Sequence, residues 1–460
     1  MIARTRFQRS FGAPSRLVVL AFAAAVAAGA LLFALPASRA DGAWHLDLRS
    51  LFLATSAACV TGLDPVGVGA ALTPFGKTVL VVLVELGGLG IMTIGTFLFL
   101  AAGRSLSVDE ERSVMNTLGT GTPRQVGPIL RQTVAFTLFW ELSGALAMAA
   151  RLHAAFPGYG SAVRSLAHGA FFSVMSFCNA GFSLFPDSFA PLLRDPAMTL
   201  LSCLLSFVGG IGFIVHASLL SLRPWRRNRL ARGRLPLHGR LVLEGVAAVV
   251  GLSLLAYLPL EAGGAYAGLS GGETFRAALF QAFSSRSSGF ACVSVASYGP
   301  ATLAFTMALM FVGAAPGSTG GGVKTTTVAV LFATVRAMFH SRDTPELHGR
   351  SVPRRAVGDA IAVTVLAAAA VAATAFALLL AEAGGPARPG ALVFEAVSAF
   401  ANNGMEIDGT TASLSGPGLL VVSVAMFAGR LGPVALVLTL FRRRRADLSK
   451  RFPEENVIVG

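Results

Sequence analysis

Charge is what this chain has least of. Only 13% of its 460 residues are Asp, Glu, Lys or Arg, against roughly a quarter in soluble domains, which excludes an ordinary soluble globular protein. Cysteine is scarce too. Cys59, Cys178, Cys203 and Cys292 show no CxxC spacing and no nearby histidine cluster, which argues against a disulfide framework or a metal site. The seven histidines are scattered. No clustered nucleophile, base or metal ligands stand within the apolar segments, so a membrane enzyme is disfavoured.

Apolar length is abundant instead. Residues 17–36, LVVLAFAAAVAAGALLFALP, form an uncharged run long enough to cross a bilayer. Similar runs recur near 78–101, 196–222, 241–260, 301–315, 356–381 and 417–441, with a more polar one at 132–150. The chain reads as a polytopic membrane protein. The alternative for the first run is a cleaved signal peptide, but the run is long for that purpose.

The net charge of +14 raises the possibility of nucleic-acid binding, but the distribution points elsewhere. Arg4, Arg6, Arg9 and Arg16 precede the first run, RPWRRNRLARGR lies between runs, and RRRRADLSKR follows the last. With Arg336, Arg342, Arg350, Arg354 and Arg355 they all fall on one side if the spans alternate, the positive-inside pattern. Both termini are then expected in the cytoplasm, the basic face suits anionic lipid, and no nucleic acid is implied.

One segment is written four times: SAACVTGLDP, MSFCNAGFSL, SSRSSGFACV and SAFANNGMEI, centred on Gly62, Gly181, Gly289 and Gly404 at separations of 119, 108 and 115 residues. A second glycine cluster follows in register at Gly87, Gly209, Gly313 and Gly429, and a large apolar residue stands ten places before each centre: Phe52, Phe171, Leu279 and Phe394. Each unit reads as a long helix, a short helix of about 12–15 residues, a glycine hairpin and a second long helix. So short a helix cannot span a bilayer, and the non-helical backbone after it survives only buried in protein or lining water. The expected fold is all-α: eight spanning helices and four re-entrant pore helices in a pseudo-fourfold arrangement around one ion pathway. The boundaries expected are a tail 1–16, repeats 17–101, 125–222, 238–336 (with an intramembrane loop 313–327) and 355–441, and a tail 442–460.

The short helices would point their partly negative C-terminal ends at the axis. Carbonyls of the hairpins can then replace a cation's hydration shell. Candidate filter residues are Val60, Thr61 and Gly62; Asn179, Ala180 and Gly181; Ser287, Ser288 and Gly289; and Asn402, Asn403 and Gly404. None is a carboxylate, which disfavours a divalent ion. Asp64, Asp187, Glu406 and Asp408 are either a cation-concentrating outer mouth or plain solvated loop. Gly87, Gly88, Gly90, Gly209, Gly210 and Gly212 are read as helix-packing positions.

The hairpins VTGL, NAGF, SSGF and NNGM, with PGSTGGGVKTT in the third unit and AGRLG in the fourth, resemble the Trk/Ktr/HKT superfamily of potassium transporters over nearly the whole chain. Little sequence precedes residue 17 for the extra helical pair of the TrkH branch, and the ending FPEENVIVG is similar to the KtrB branch. The resemblance implies a potassium-translocating subunit of a bacterial plasma-membrane uptake system. It also implies a homodimer, a cytoplasmic nucleotide-binding KtrA-like ring as partner, and potassium at the filter with sodium as a candidate activator. The rival readings are a TrkH-like or a sodium- or proton-coupled symporter, for which Glu85 and Glu141 are the titratable candidates.

The stretch GAAPGSTGGGVKTTT at 313–327 looks like a P-loop and is not one. Val323 separates Gly322 from Lys324, where the motif needs Gly-Lys, and the stretch interrupts the third unit's second span. Gly313, Pro316, Gly317, Ser318, Thr319, Gly320, Gly321, Gly322 and Lys324 are read as a movable intramembrane gate, as the resemblance also implies; the alternative is a passive kink. The other three units are expected to stay helical there. Arg430, mid-span, is read as a cavity-facing barrier charge near that gate; the alternative is a salt bridge with Glu85. Lys324 is expected near the cytoplasmic end, free to snorkel.

Overall fold

Prolines and capping side chains start the second helix of each unit. The Thr73 hydroxyl receives the Gly76 amide ahead of Pro74, the Asp195 carboxylate receives that of Met198 ahead of Pro196, and the Ser415 hydroxyl receives that of Gly418 around Pro417. In the third unit Gly299 precedes Pro300. Proline is favourable at a first turn, where its missing N–H has no partner to lose.

The computed structural model describes residues 14–90, 126–156, 158–222, 235–342, 344–407 and 409–432. Labelling helices of eight or more residues, unit one holds α1 (Pro14–Ala34), α2 (Leu48–Ala58) and α3 (Pro74–Leu89). Unit two holds α4 (Val126–Ala155), α5 (Ala162–Cys178), α6 (Pro196–Gly210) and α7 (Phe213–Ser221). Unit three holds α8 (Leu237–Glu261), α9 (Gly271–Phe283), α10 (Pro300–Phe311) and α11 (Thr325–Phe339). Unit four holds α12 (Arg354–Ala381), α13 (Pro389–Ala401) and α14 (Gly416–Leu431). A small hairpin, β1 (Glu346–Leu347) with β2 (Arg350–Ser351), links α11 to α12. The basic stretch 223–234, residues 91–101, Asp408 and the tail 442–460 lie outside the described residues.

This is an all-α polytopic membrane fold. Among the described residues, three helices are long and apolar enough to cross a membrane by themselves: Arg131–Ala155, Leu237–Glu261 and Arg354–Ala381. They carry only 33%, 22% and 11% of their apolar windows buried, so their faces are left for lipid. The short helices α2, α5, α9 and α13 are buried toward their C-terminal ends and form the centre of the molecule. An aromatic column binds two of them: Phe189 stacks on Phe280 with ring centroids 4.8 Å apart and meets Phe172 edge-on at 5.8 Å.

One expectation is corrected here. The other units do not stay helical where the third is interrupted. Described helix stops at Gly90 (φ 79°), at Gly212 (φ 81°) and at Gly432 (φ 82°), a left-handed backbone open to glycine at little cost. A break at this level is therefore common to the units, and in the third the non-helical stretch runs from Val312 to Lys324. The large residue ten places before the centre is buried in units one, two and four but not in unit three. Leu279 is half-buried while Ala278 and Phe280 are buried, because a π turn over Ser284–Ser288 rotates α9 relative to its hairpin.

Candidate functional site

Each short helix ends alike. An amide reaches back five residues: Thr61 to the Ser56 carbonyl (2.8 Å), Ala180 to Met175 (2.9 Å), Asn403 to Ser398 (3.0 Å) and Gly289 to Ser284 (3.1 Å). The chain turns through a left-handed residue, Val60 (φ 57°), Asn179 (φ 59°), Asn402 (φ 50°) or Gly289 itself (φ 70°). For β-branched Val60 this conformation costs about 1–3 kcal/mol and needs its surroundings to enforce it. The Ser56 hydroxyl does so by accepting the Gly62 amide at 3.1 Å; Ser398 accepts that of Gly404 in the same way.

The four hairpins meet. A Cβ added to Gly62 would fall on the Ala180 carbonyl oxygen, and one on Gly181 would lie 2.8 Å from that of Ser288. On Gly289 it would fall on the Asn403 carbonyl, and on Gly404 on that of Thr61. Each hairpin leans on the next, from one to two, three, four and back to one. All four glycines have positive φ as well, so a side chain is excluded twice over. Of the twelve residues named from the sequence, Gly181 is half-buried and the rest are buried.

The asparagines among them are braces. Asn179 donates to Thr319 Oγ1 (3.0 Å) and accepts from the hydroxyls of Ser206 (2.5 Å) and Ser287 (3.0 Å). Asn402 donates to Thr61 Oγ1 (3.0 Å) and the Met426 carbonyl (2.8 Å). Asn403 donates to the Ser284 (3.0 Å) and Ser285 (3.1 Å) carbonyls. The amide nitrogens of all three are thus spent on neighbouring segments, while Asn402 Oδ1 is buried without a hydrogen-bond partner.

The second glycine landmark crosses the same helix ends. A Cβ on Gly87 would fall on the Ala58 carbonyl, on Gly209 on that of Phe177, and on Gly429 on that of Phe400. These carbonyls each lie four residues before a central glycine. Gly313 instead meets Gly321 of its own loop.

That loop lies against the hairpins. A Cβ on Gly320 would sit 3.0 Å from Ser287 Cβ, and one on Gly321 would sit 2.8 Å from Asn402 Cβ. Its amides are tied to α6, Ala315 to the Gly210 carbonyl (3.2 Å) and Thr319 to that of Gly209 (3.4 Å), and the Phe213 amide reaches the Gly317 carbonyl (3.2 Å). The Thr319 hydroxyl donates to the Phe177 carbonyl at 3.2 Å. Arg430 donates to the Thr319 carbonyl at 2.5 Å and to the Gly87 carbonyl. The salt bridge weighed between Arg430 and Glu85 is not made: the guanidinium takes loop and helix carbonyls. Lys324 is corrected as well. Its ammonium folds back on the Gly320 carbonyl at 2.8 Å.

Among the acids beyond the hairpins, Asp64 receives the amides of Val66, Gly67 and Val68 at 3.0, 2.9 and 2.6 Å, and Glu406 receives that of Thr411 at 2.8 Å. They fold the outer loops; Asp187 is exposed.

Sequence reading missed three features. Cys178 Sγ lies 3.3 Å from Glu85 Oε2 and 3.6 Å from Glu141 Oε1, a close cluster from three helices. Arg286 is buried with none of its guanidinium nitrogens hydrogen-bonded; the charge inside SSRSSG was the available signal. Glu395 on α13 is fully buried, and its place inside a short helix was a similar signal.

Comparison with known proteins settles the lineage. A family model described as TrkH, a cation transport protein, matches residues 32–446. The chain belongs to the TrkH cation transport family. The Ktr system potassium uptake protein B of Bacillus subtilis is 31% identical over 97% of this chain and 97% of its own length. The protein of the same name from Vibrio alginolyticus is 31% identical over 98% of this chain and 95% of its own. The potassium/sodium uptake protein NtpJ of Enterococcus hirae is 29% identical over 97% of each. In fold, the crystal structure of the potassium transporter TrkH from Vibrio parahaemolyticus superposes with a TM-score of 0.72 at 18% identity, covering 92% of this chain and 84% of that one. Membership in the TrkH family makes this chain a transport protein and not an enzyme.

Proposed function

We propose that this chain is the potassium-translocating subunit of a Ktr-type uptake system, conducting through the ring of Gly62, Gly181, Gly289 and Gly404. The observation carrying this reading is the closed order in which each glycine abuts the next hairpin's carbonyl. It supports a pseudo-fourfold membrane-pore-membrane arrangement with the repeat boundaries expected from the sequence, the second spans being broken at glycine. Carbonyls of Val60, Thr61, Ala180, Ser287, Ser288 and Asn403 are the candidate potassium ligands, in a site weak enough for the ion to leave.

Gly313 to Lys324 would close the pathway beneath that ring, and Arg430 would hold them shut while raising the electrostatic barrier to a cation. Arg430 stands in the last turn of α14; an arginine at bilayer mid-depth costs about 2.5–3.5 kcal/mol on insertion scales, and its two carbonyl contacts repay part of that only in the closed arrangement. The positive-inside pattern supports cytoplasmic termini in a bacterial inner membrane. A homodimer, a KtrA-like nucleotide-binding ring and sodium activation remain part of this proposal as what the sequence resemblance implies. Rescue of a potassium-uptake-deficient bacterium, with and without a candidate ring protein, tests the assignment. Growth on low potassium that depends on the chain supports it, and no growth from a normally inserted chain rejects it.

The Glu85–Glu141–Cys178 cluster favours a second reading, a proton-coupled symporter. Reversal at the potassium equilibrium potential, whatever the proton or sodium gradient, separates channel-like conduction from that rival.

A further inference from the structure

Arg286 carries a charge that it cannot give up. It stands inside the π turn Ser284–Ser288, beside Ser287 of the third hairpin, and is 2% exposed. A guanidinium stays protonated in proteins and offers five N–H donors. Here Nε, Nη1 and Nη2 are all buried and none has a hydrogen-bond partner. No acid among the described residues is near enough to bear on it.

The acceptors around it are already engaged. On its own turn the Gln281 carbonyl takes the Ser285 hydroxyl at 2.7 Å, and the Ser284 and Ser285 carbonyls take the Asn403 side-chain amide at 3.0 and 3.1 Å. On α6, the carbonyls of Gly209 and Gly210 take the amides of Thr319 and Ala315. The guanidinium packs directly on that helix, since a Cβ on Gly210 would lie 2.7 Å from Arg286 Nη2.

A buried charge without a partner is strongly destabilising. The C-terminal end of α9 contributes about half a negative charge, which leaves the sum positive. Water satisfies N–H donors but brings no opposite charge. An anion brings both an acceptor and the missing charge, and one monovalent ion is enough. The enclosure between the π turn and α6 favours a monatomic anion over phosphate or sulfate.

We propose that Arg286 holds a chloride ion between the third hairpin and α6, its guanidinium N–H groups donating to the anion. The pair then presents no net charge beside a pathway that passes cations. This last consequence rests on reading the hairpin as part of the filter; anion binding itself does not.

The test uses the full chain purified and crystallised in bromide, read by anomalous diffraction at the bromine edge, so that no ion flux is scored. A bromide peak within hydrogen-bonding distance of the Arg286 guanidinium is expected in the unaltered chain, and none there in Arg286→Gln. The melting temperature of the unaltered chain in detergent is a second measurement, which serves if the variant fails to fold. It is expected to rise and saturate as chloride replaces gluconate at constant ionic strength. Arg355→Gln, at an exposed arginine, is expected to keep that dependence. Water in place of bromide at Arg286, a bromide peak that persists in Arg286→Gln, or a melting temperature indifferent to chloride would overturn the proposal.

Discussion

Arg430 and Thr319 join the last helix to the glycine-rich loop, guanidinium to carbonyl at 2.5 Å. The same side chain reaches the Gly87 carbonyl on α3, so one residue clasps the loop between two units. Hydrogen bonds from a charged group contribute about 1.5–3 kcal/mol each, and every 1.4 kcal/mol is tenfold in an equilibrium.

Arg430→Ala is therefore expected to raise rubidium influx into proteoliposomes about tenfold or more, through both the lost clasp and the lost barrier charge. Unchanged or lower influx at equal insertion contradicts the gating role.

Removing Gly317 to Gly322 shortens the loop where it meets Gly212 and Phe213. The shortened chain is expected to leak potassium without regulation. Influx still held at the resting level would show that the loop does not obstruct the pathway.

Asn179→Leu strands the hydroxyls of Ser206 and Ser287, which now donate to its Oδ1, while Thr319 keeps its bond to the Phe177 carbonyl. Leaving buried polar groups unpaired costs about 1–3 kcal/mol each. The expected outcome is a lower melting temperature in detergent together with raised leak. A loss of stability with influx still fully gated would make Asn179 a packing residue only.

Gly209→Val places its Cβ on the Phe177 carbonyl, a backbone atom with no freedom to move aside. Strain of this kind costs about 1–3 kcal/mol, read as a lower melting temperature. Gly251→Val, where nothing lies within 4 Å, is the control and is expected to melt unchanged.

Much of this was legible in the residues. Gly62, Gly181, Gly289 and Gly404 repeat at a spacing that local chemistry alone does not require, and their clustering follows from four copies of one unit. The glycines at 87 and 209 announced close packing, and each meets its own short helix, as Gly429 also does. The helix breaks at Gly90 and Gly212 were hidden because glycine is common in membrane helices, and packing and bending ask for the same residue. The clustering of Glu85, Glu141 and Cys178 joins side chains up to 93 positions apart, so no local pattern predicts it. The π turn at Ser284–Ser288 left no periodic trace, since five residues are too few to set a phase. Partners for Arg430 required knowing which carbonyls the loop exposes.

The most direct measurement is anomalous diffraction from crystals soaked in rubidium. A carbonyl-lined pathway predicts a rubidium peak enclosed by the hairpins of Gly62, Gly181, Gly289 and Gly404. A peak at the Glu85–Glu141–Cys178 cluster with none among the four hairpins would contradict it.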